Sequence, residues 1–218
     1  MIFIRYLKNL NQIGKDKLFN KRKDDRRKSS SKSVRDKILI VCEGQKTEPQ
    51  YFKSFPVNKE IVEVMIPDTG GYNTDSLVKK AIELMEEDKK QNKEYNQVWC
   101  VFDRDYFPAQ NFNNAFILAE RNQIRIAYSN EAFEVWYLLH FHYYQDACPR
   151  KEYEKRLTEL LKKDYRKNDP KMYTLLESKQ KEAIRNAQNL LKFHKEHSHD
   201  RENHPEKDNP STTVFKFS

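Results

Sequence analysis

The chain has 218 residues, of which 37% are hydrophobic and 34% are charged, and its formal net charge is +8. This length allows one core of ordinary size with extensions, or two small domains. The lack of any run of about 18 apolar residues excludes a transmembrane helix, and the opening apolar run is too short for a secretory signal. Three widely spaced cysteines exclude a disulfide framework or a zinc knuckle. We therefore expect a cytoplasmic protein without a membrane partner.

The positive charge is concentrated in residues 1–37, which carry 13 Lys and Arg against 4 Asp and Glu. This segment has few apolar residues and no sustained period, which is typical of a flexible or partly helical arm. Arg22, Arg26 and Arg27 are its candidates for binding the phosphate backbone of a nucleic acid. A solvated tail that keeps the protein in solution explains the same composition equally well.

Apolar segments alternate with helical patterns over the next hundred residues. Strands are predicted at residues 38–42, 60–67, 97–102 and 124–128. Helices are predicted after each of them: a short one with Thr47 and Pro49 as its cap and first turn, then 73–93, 112–121, and one from residue 131 onward with Asn130 as its cap. This alternation predicts an α/β fold, with a parallel four-stranded sheet flanked by helices on both faces.

The C-terminal part has a different character. The segment EAFEVWYLLHF, from Glu131, is apolar almost all round and predicts a helix buried in the body of the protein. Beyond Pro149 we expect two charged helices, near residues 151–163 and 176–197, and then the terminal NPSTTVFKF. The predicted organisation is thus a basic arm (1–37), an α/β core (38–148) and a helical extension packed on the core (149–218).

Acidic residues stand at the ends of two predicted strands. Glu43 follows the first strand directly, and Asp103 and Asp105 follow the third, two residues apart, so that both can face the same point. In open α/β sheets ligands bind outside the carboxyl ends of the strands, where the strand order reverses. If the first and third strands are neighbours, these three carboxylates converge. They would repel each other unless a cation neutralised them, and oxygen ligands suit Mg²⁺ or Mn²⁺.

Each of these residues also has a simpler explanation. A single acidic residue at a strand end is more often a turn former or helix cap than a metal ligand, and only the combination of strand ends is specific. Glu134 interrupts an apolar helix, so it either faces the site or lies at a partly exposed edge. Glu48 is a good acid for a first helical turn. Lys46 and Arg104 either meet phosphate or are solvated loop charges.

Four motifs carry a resemblance to known proteins. The pairing of VCEG (residues 41–44) with FDRD (102–105) resembles the Toprim fold of topoisomerases, primases and overcoming-lysogenization-defect nucleases. More closely, CEGQKTEPQYF, VWCVFDRDYF, YSNEAFEVWYLLHF and NPSTTV, in that order, resemble the RloB-like family, which is associated with bacterial abortive-infection and restriction loci. The resemblance covers roughly residues 37–215. It implies a Toprim-like core and Mg²⁺-dependent cleavage of nucleic acid in anti-phage defence.

The resemblance also implies roles for individual residues. Glu43 would do acid or base work, and Asp103 and Asp105 would hold metal, with Glu48 as an additional ligand. The chain departs from many Toprim proteins after its DxD pair, where Tyr106, Phe107 and Pro108 stand instead of a further acid or a glycine.

Two functional hypotheses follow. The first is a nuclease that hydrolyses DNA or RNA. The second is a non-catalytic nucleic-acid-binding or sensor subunit of a defence complex, with a structural acidic cluster. Homo-oligomerisation or a partner from the defence locus is compatible with both. Removing Asp103 should abolish turnover under the first hypothesis and do little to function under the second.

Overall fold

A five-stranded sheet forms the centre of the molecule. The structure is a computed structural model, and it describes residues 36–57, 62–66, 74–104, 108–197 and 205–217. The sheet order is β2-β1-β3-β4-β5, in which the first four strands are parallel and β5 is antiparallel to β4. The strands are β1 (Asp36–Cys42), β2 (Val62–Met65), β3 (Gln97–Asp103), β4 (Arg125–Asn130) and β5 (Ser211–Thr212). The predicted α/β fold is confirmed, and the fifth strand is an addition to it.

Helices cover both faces of this sheet. They are α1 (Thr47–Lys53), α2 (Thr74–Lys90), α3 (Ala109–Arg121), α4 (Glu134–Leu138), α5 (Arg150–Leu161), α6 (Met172–Leu176) and α7 (Gln180–His197). Short 3₁₀ turns lie at Glu177–Lys179, Pro205–Lys207 and Val214–Phe217. Among the described residues, no helix combines the length and apolar character needed to cross a membrane.

The apolar run of β1 is buried on both sides, as a central parallel strand requires. Ile38 and Ile40 contact a core formed with α1 and α4 to α7. Leu39 and Val41, which point the opposite way, contact a second core formed with α2 and α3. A continuous run of apolar, mostly β-branched residues is therefore the local signal for a strand between two layers of helices.

The topology places the acidic strand ends together. The chain passes from β1 outward to β2 and then returns across β1 to β3, so the strand order reverses between β1 and β3. The backbone N–H of Glu43 donates to the carbonyl of Val101 at 2.9 Å, which extends the pairing one residue beyond β1. Asp103 is the last residue of β3. The crevice at the carboxyl ends of these two strands is the expected ligand position.

The terminal NPSTTV segment completes the sheet. Thr213 donates its backbone N–H to the carbonyl of Tyr128 at 2.8 Å, and its hydroxyl accepts the N–H of Tyr128 at 2.9 Å. The hydroxyls of Ser129 and Thr212 lie 3.0 Å apart and are hydrogen-bonded. Further on, the ring of Phe217 packs against Trp99, with centroids 4.1 Å apart. These contacts make residues 211–217 part of the sheet core.

Two predicted helix caps are wrong. Asn130 belongs to β4, where it pairs with Ser211, and its side-chain amide donates to the carbonyl of Glu206 at 3.0 Å. The following helix therefore begins later, at Glu134, and its regular part has five residues. Thr47 is the first residue of α1 and makes no cap, because its hydroxyl donates to the carbonyl of Lys167 at 2.8 Å. In both cases a partner distant in sequence takes the polar group.

Two parts of the predicted organisation are not tested. The basic arm, with Arg22, Arg26 and Arg27, lies outside the described residues apart from its last two, which begin β1. The boundary between core and helical extension at residue 149 stays a prediction.

Candidate functional site

A cavity of about 390 Å³ lies at the carboxyl ends of β1 and β3. Its wall is formed by the loop after β1, the start of α1, the end of β3, the start of α4 and the start of α5. Four acidic residues line it: Glu43, Glu48, Asp103 and Glu134. Three basic residues line it as well: Lys46, Arg150 and Lys167.

Glu43 joins the ends of the two central strands. Its Oε2 accepts a hydrogen bond from the backbone N–H of Asp103 at 3.0 Å. This contact exists because β1 and β3 are neighbours in register, with Cys42 opposite Val101. The predicted convergence of Glu43 and Asp103 therefore follows from the strand order.

Gly44 makes room for a third carboxylate. Glu48, in the first turn of α1, is 5% exposed, and its carboxylate accepts hydrogen bonds from the backbone N–H groups of Gly44 and of Glu48 itself. A Cβ at position 44 would lie 2.8 Å from Cδ of Glu48, and it would also contact both carboxylate oxygens of Glu48. The glycine that follows the strand-end acid thus leaves free the space in which the Glu48 carboxylate lies.

The two carboxylate oxygens of Asp103 have different surroundings. Its Oδ2 accepts from Nη2 of Arg150 at 2.8 Å. Its Oδ1 is buried and has no hydrogen-bond partner among the described residues. A buried carboxylate oxygen without a donor is costly, and a bound cation is one means of satisfying it.

Glu134 faces the cavity and is 3% exposed. Its Oε1 accepts a hydrogen bond from the hydroxyl of Tyr165 at 3.0 Å. The structure therefore places Glu134 at the site and not at a partly exposed edge, which was the alternative from the sequence.

Burial and mutual repulsion dominate the electrostatics of the acidic side chains. Burial raises the pKa of Glu48 to about 7, with the Glu134 carboxylate adding to the rise and Arg150 opposing it. Burial also raises the pKa of Asp103 well above its ordinary value, with Glu48 adding to the rise and Arg150 again opposing it. The positive charge of Arg150 therefore compensates the cluster only in part.

The raised pKa of Glu48 predicts a pH-dependent stability in metal-free buffer. Between about pH 4.5 and about pH 7 the folded chain holds this proton and the unfolded chain does not. The free energy of unfolding should therefore fall as pH rises through this window, by up to about 3 kcal/mol. Urea unfolding with EDTA near pH 5 and near pH 8 measures the fall. Glu48→Gln should reduce it, and Glu159→Gln, on the exposed side of α5, should not; an equal fall in wild type and Glu48→Gln would contradict the assignment.

Of the other predicted site residues, one lines the cavity, one does not, and one is not described by the structure. Lys46 lines the cavity. Arg104 is not among the lining residues, and its guanidinium lies over the ring of Phe112, 5.7 Å from the centroid. Asp105 lies outside the described residues.

Sequence reasoning missed the basic and phenolic groups of the site. Arg150 and Lys167 line the cavity, and Tyr165 contacts it through Glu134. Lys167 also pairs with Glu154, with Nζ 3.0 Å from Oε1. All of these residues follow Pro149 and reach the site only through helix packing. The one available signal was Arg150 itself, a cation in a first helical turn, where the helix dipole favours acids.

The donor set of the cavity fits an ion that prefers oxygen. Carboxylates without cysteine or histidine suit Mg²⁺ or Mn²⁺ better than zinc. In the described part of the chain, however, no three His, Cys, Asp or Glu side chains stand close enough together to hold a metal ion. The residue types therefore fit the predicted ion, while in this structure the Asp103 carboxylate is paired with Arg150.

The comparison with protein families gives one match. The model of the RloB-like protein family matches residues 38–217. The chain belongs to the RloB-like protein family. Neither the comparison with curated proteins nor the comparison with solved structures gives a match.

Proposed function

We propose that this chain is a Mg²⁺- or Mn²⁺-dependent nuclease with a Toprim-like core, which hydrolyses phosphodiester bonds of DNA or RNA. The observation that carries the proposal is the buried Asp103 carboxylate, with an oxygen that has no partner among the described residues, beside Glu43 in a cavity at the strand ends. A role in bacterial anti-phage defence rests on the family, whose members are associated with abortive-infection and restriction loci.

The residues of the cavity divide into three tasks. Glu43, Asp103, Asp105 and Glu134, with Glu48 in addition, would hold the ion, which when bound supplies an acidic water and neutralises phosphate charge. Lys46 and Lys167 attract the phosphate backbone to the cavity. Glu43 accepts a proton from the attacking water while the oxygen of that water bonds to phosphorus. The bond from phosphorus to the leaving oxygen breaks, and that oxygen takes up a proton from solvent.

One observation favours the second candidate, a nucleic-acid-binding or sensor subunit without catalysis. Asp103 is neutralised by Arg150 at 2.8 Å, and a carboxylate paired in this way is also typical of a structural ion pair. Under this hypothesis the cluster stabilises the crevice, and the basic side chains bind nucleic acid.

Cleavage assays separate the two candidates. Purified protein is incubated with labelled single-stranded and double-stranded DNA and RNA, in Mg²⁺, Mn²⁺ or EDTA. We expect cutting of at least one substrate with a metal ion and none with EDTA. Binding to these substrates without cutting in either metal would reject the nuclease and support the binding subunit.

A further inference from the structure

The position of Arg150 is explained by its partner in the cavity and not by the preference of its own helix. It is the first residue of α5, after Pro149 in an extended conformation. A cation at a helix N-terminus is opposed by the helix dipole, which favours acids there. The compensating partner is Asp103, whose Oδ2 accepts from Nη2 of Arg150 at 2.8 Å. A residue that departs from a local preference in this way commonly serves a site.

The two members of this ion pair are exposed to different degrees. The side chain of Arg150 is 29% exposed and that of Asp103 is 11% exposed. The guanidinium can leave Asp103 by turning into the open cavity, where water or an anion receives it. The carboxylate would stay behind among Glu43, Glu48 and Glu134, so the pair opens at low cost only when another cation replaces the guanidinium.

We propose that Arg150 and a divalent cation compete for the Asp103 carboxylate, and that the displaced guanidinium binds a phosphate of the nucleic acid. This inference rests on the proposed function, because it needs a metal ion at Asp103. A guanidinium presents a planar fork of donors that matches phosphate oxygens. Lys46 and Lys167 line the same cavity, and their positive charge would attract a phosphate into it.

Before a metal ion binds, Arg150 is a cation paired with Asp103. Its Nη2 donates to Oδ2 of that carboxylate at 2.8 Å and compensates part of the negative charge of the cavity. Arg150 is a positioning residue before metal binding and a substrate-binding residue afterwards.

Neutralising Arg150 should have opposite effects on the two ligands. Arg150→Gln removes a competing charge-assisted hydrogen bond, so Mg²⁺ affinity should rise roughly tenfold. The same change removes a phosphate contact, so the affinity of the metal-loaded protein for an oligonucleotide should fall roughly tenfold. A merely structural Arg150 would weaken both affinities when removed.

Calorimetry of the full chain tests the inference. Wild type, Arg150→Gln and Arg150→Lys are titrated with Mg²⁺ at about pH 8.5, where protons compete least for the carboxylates. Phosphorothioate DNA and 2′-O-methyl RNA oligonucleotides, fluorescently labelled, then report nucleic-acid affinity in Mg²⁺. Arg156→Gln is the matched control, because Arg156 lies on the same helix and pairs with Glu152 at 3.1 Å outside the cavity lining.

The outcomes are distinguishable. Tighter Mg²⁺ binding and weaker oligonucleotide binding by Arg150→Gln, with Arg150→Lys between it and wild type and Arg156→Gln unchanged, support the inference. Equal or weaker Mg²⁺ binding by Arg150→Gln, with measurable binding by wild type, overturns the competition and leaves the nuclease standing. Unchanged oligonucleotide affinity overturns the phosphate contact. Should none of the proteins bind Mg²⁺ or, in a parallel titration, Mn²⁺, both the inference and the proposed nuclease fail.

Discussion

Replacing Asp103 by Asn is expected to lower the rate of metal-dependent cleavage by roughly a thousandfold or more. The amide has nearly the same shape as the carboxylate, and its oxygen can still accept the hydrogen bond from Arg150, which lies at 2.8 Å. It removes the negative charge that a divalent cation requires at the end of β3. Initial rates on the best substrate, with Mg²⁺ in excess, measure the loss.

Folding should survive this substitution. Because burial raises the pKa of Asp103, a neutral side chain at this position relieves a cost of the folded state. Thermal unfolding in EDTA should therefore give a midpoint for Asp103→Asn that is equal to or above that of wild type, and nucleic-acid affinity measured in EDTA should stay close to that of wild type. Asp146→Asn, at an exposed loop position before α5, is the matched control and should cleave normally. Metal-dependent cleavage by Asp103→Asn at the wild-type rate would rule Asp103 out as a metal ligand.

The second large effect is expected at Gly44. Gly44→Ala places a methyl group 2.8 Å from Cδ of Glu48, so the buried carboxylate must move and lose its backbone hydrogen bonds. We expect a loss of about 1–3 kcal/mol in the free energy of unfolding. Because small displacements of catalytic groups are costly, cleavage should fall by at least about tenfold.

A double-mutant cycle isolates the cause of this loss. In a Glu48→Ala background the carboxylate is absent, so adding Gly44→Ala should cost little further stability in urea unfolding. In a Glu131→Ala background, where the removed acid is not a cavity residue, Gly44→Ala should keep its full cost. The same cost of Gly44→Ala in both backgrounds would show that the backbone of the loop, and not Glu48, requires the glycine.

The sequence alone predicts the sheet and one pair of site residues well. The apolar runs of β1 and β3 are buried on both faces, and this requirement leaves a continuous hydrophobic signal. Parallel strands bring their carboxyl ends to one edge, so Glu43 and Asp103 meet once β1 and β3 are neighbours. The prediction needs no knowledge of how the helices pack.

The rest of the site depends on that packing. Arg150 lies 47 residues after Asp103, and Tyr165 lies 31 residues after Glu134. No periodicity links residues across such separations. β5 has two residues with hydroxyl side chains, too few to produce an alternating pattern, and its position is fixed by hydrogen bonds to Tyr128 and Ser129.

The position of β5 has a consequence for the order in which the protein is made. Thr212 donates its hydroxyl to the carbonyl of Tyr128, 84 residues earlier in the chain, and Phe217 is fully buried against Trp99. A ribosome must therefore release these residues before the edge of the sheet beside β4 can close. The strand ends that carry Glu43 and Asp103 are therefore synthesised long before β5, which completes the sheet beside β4.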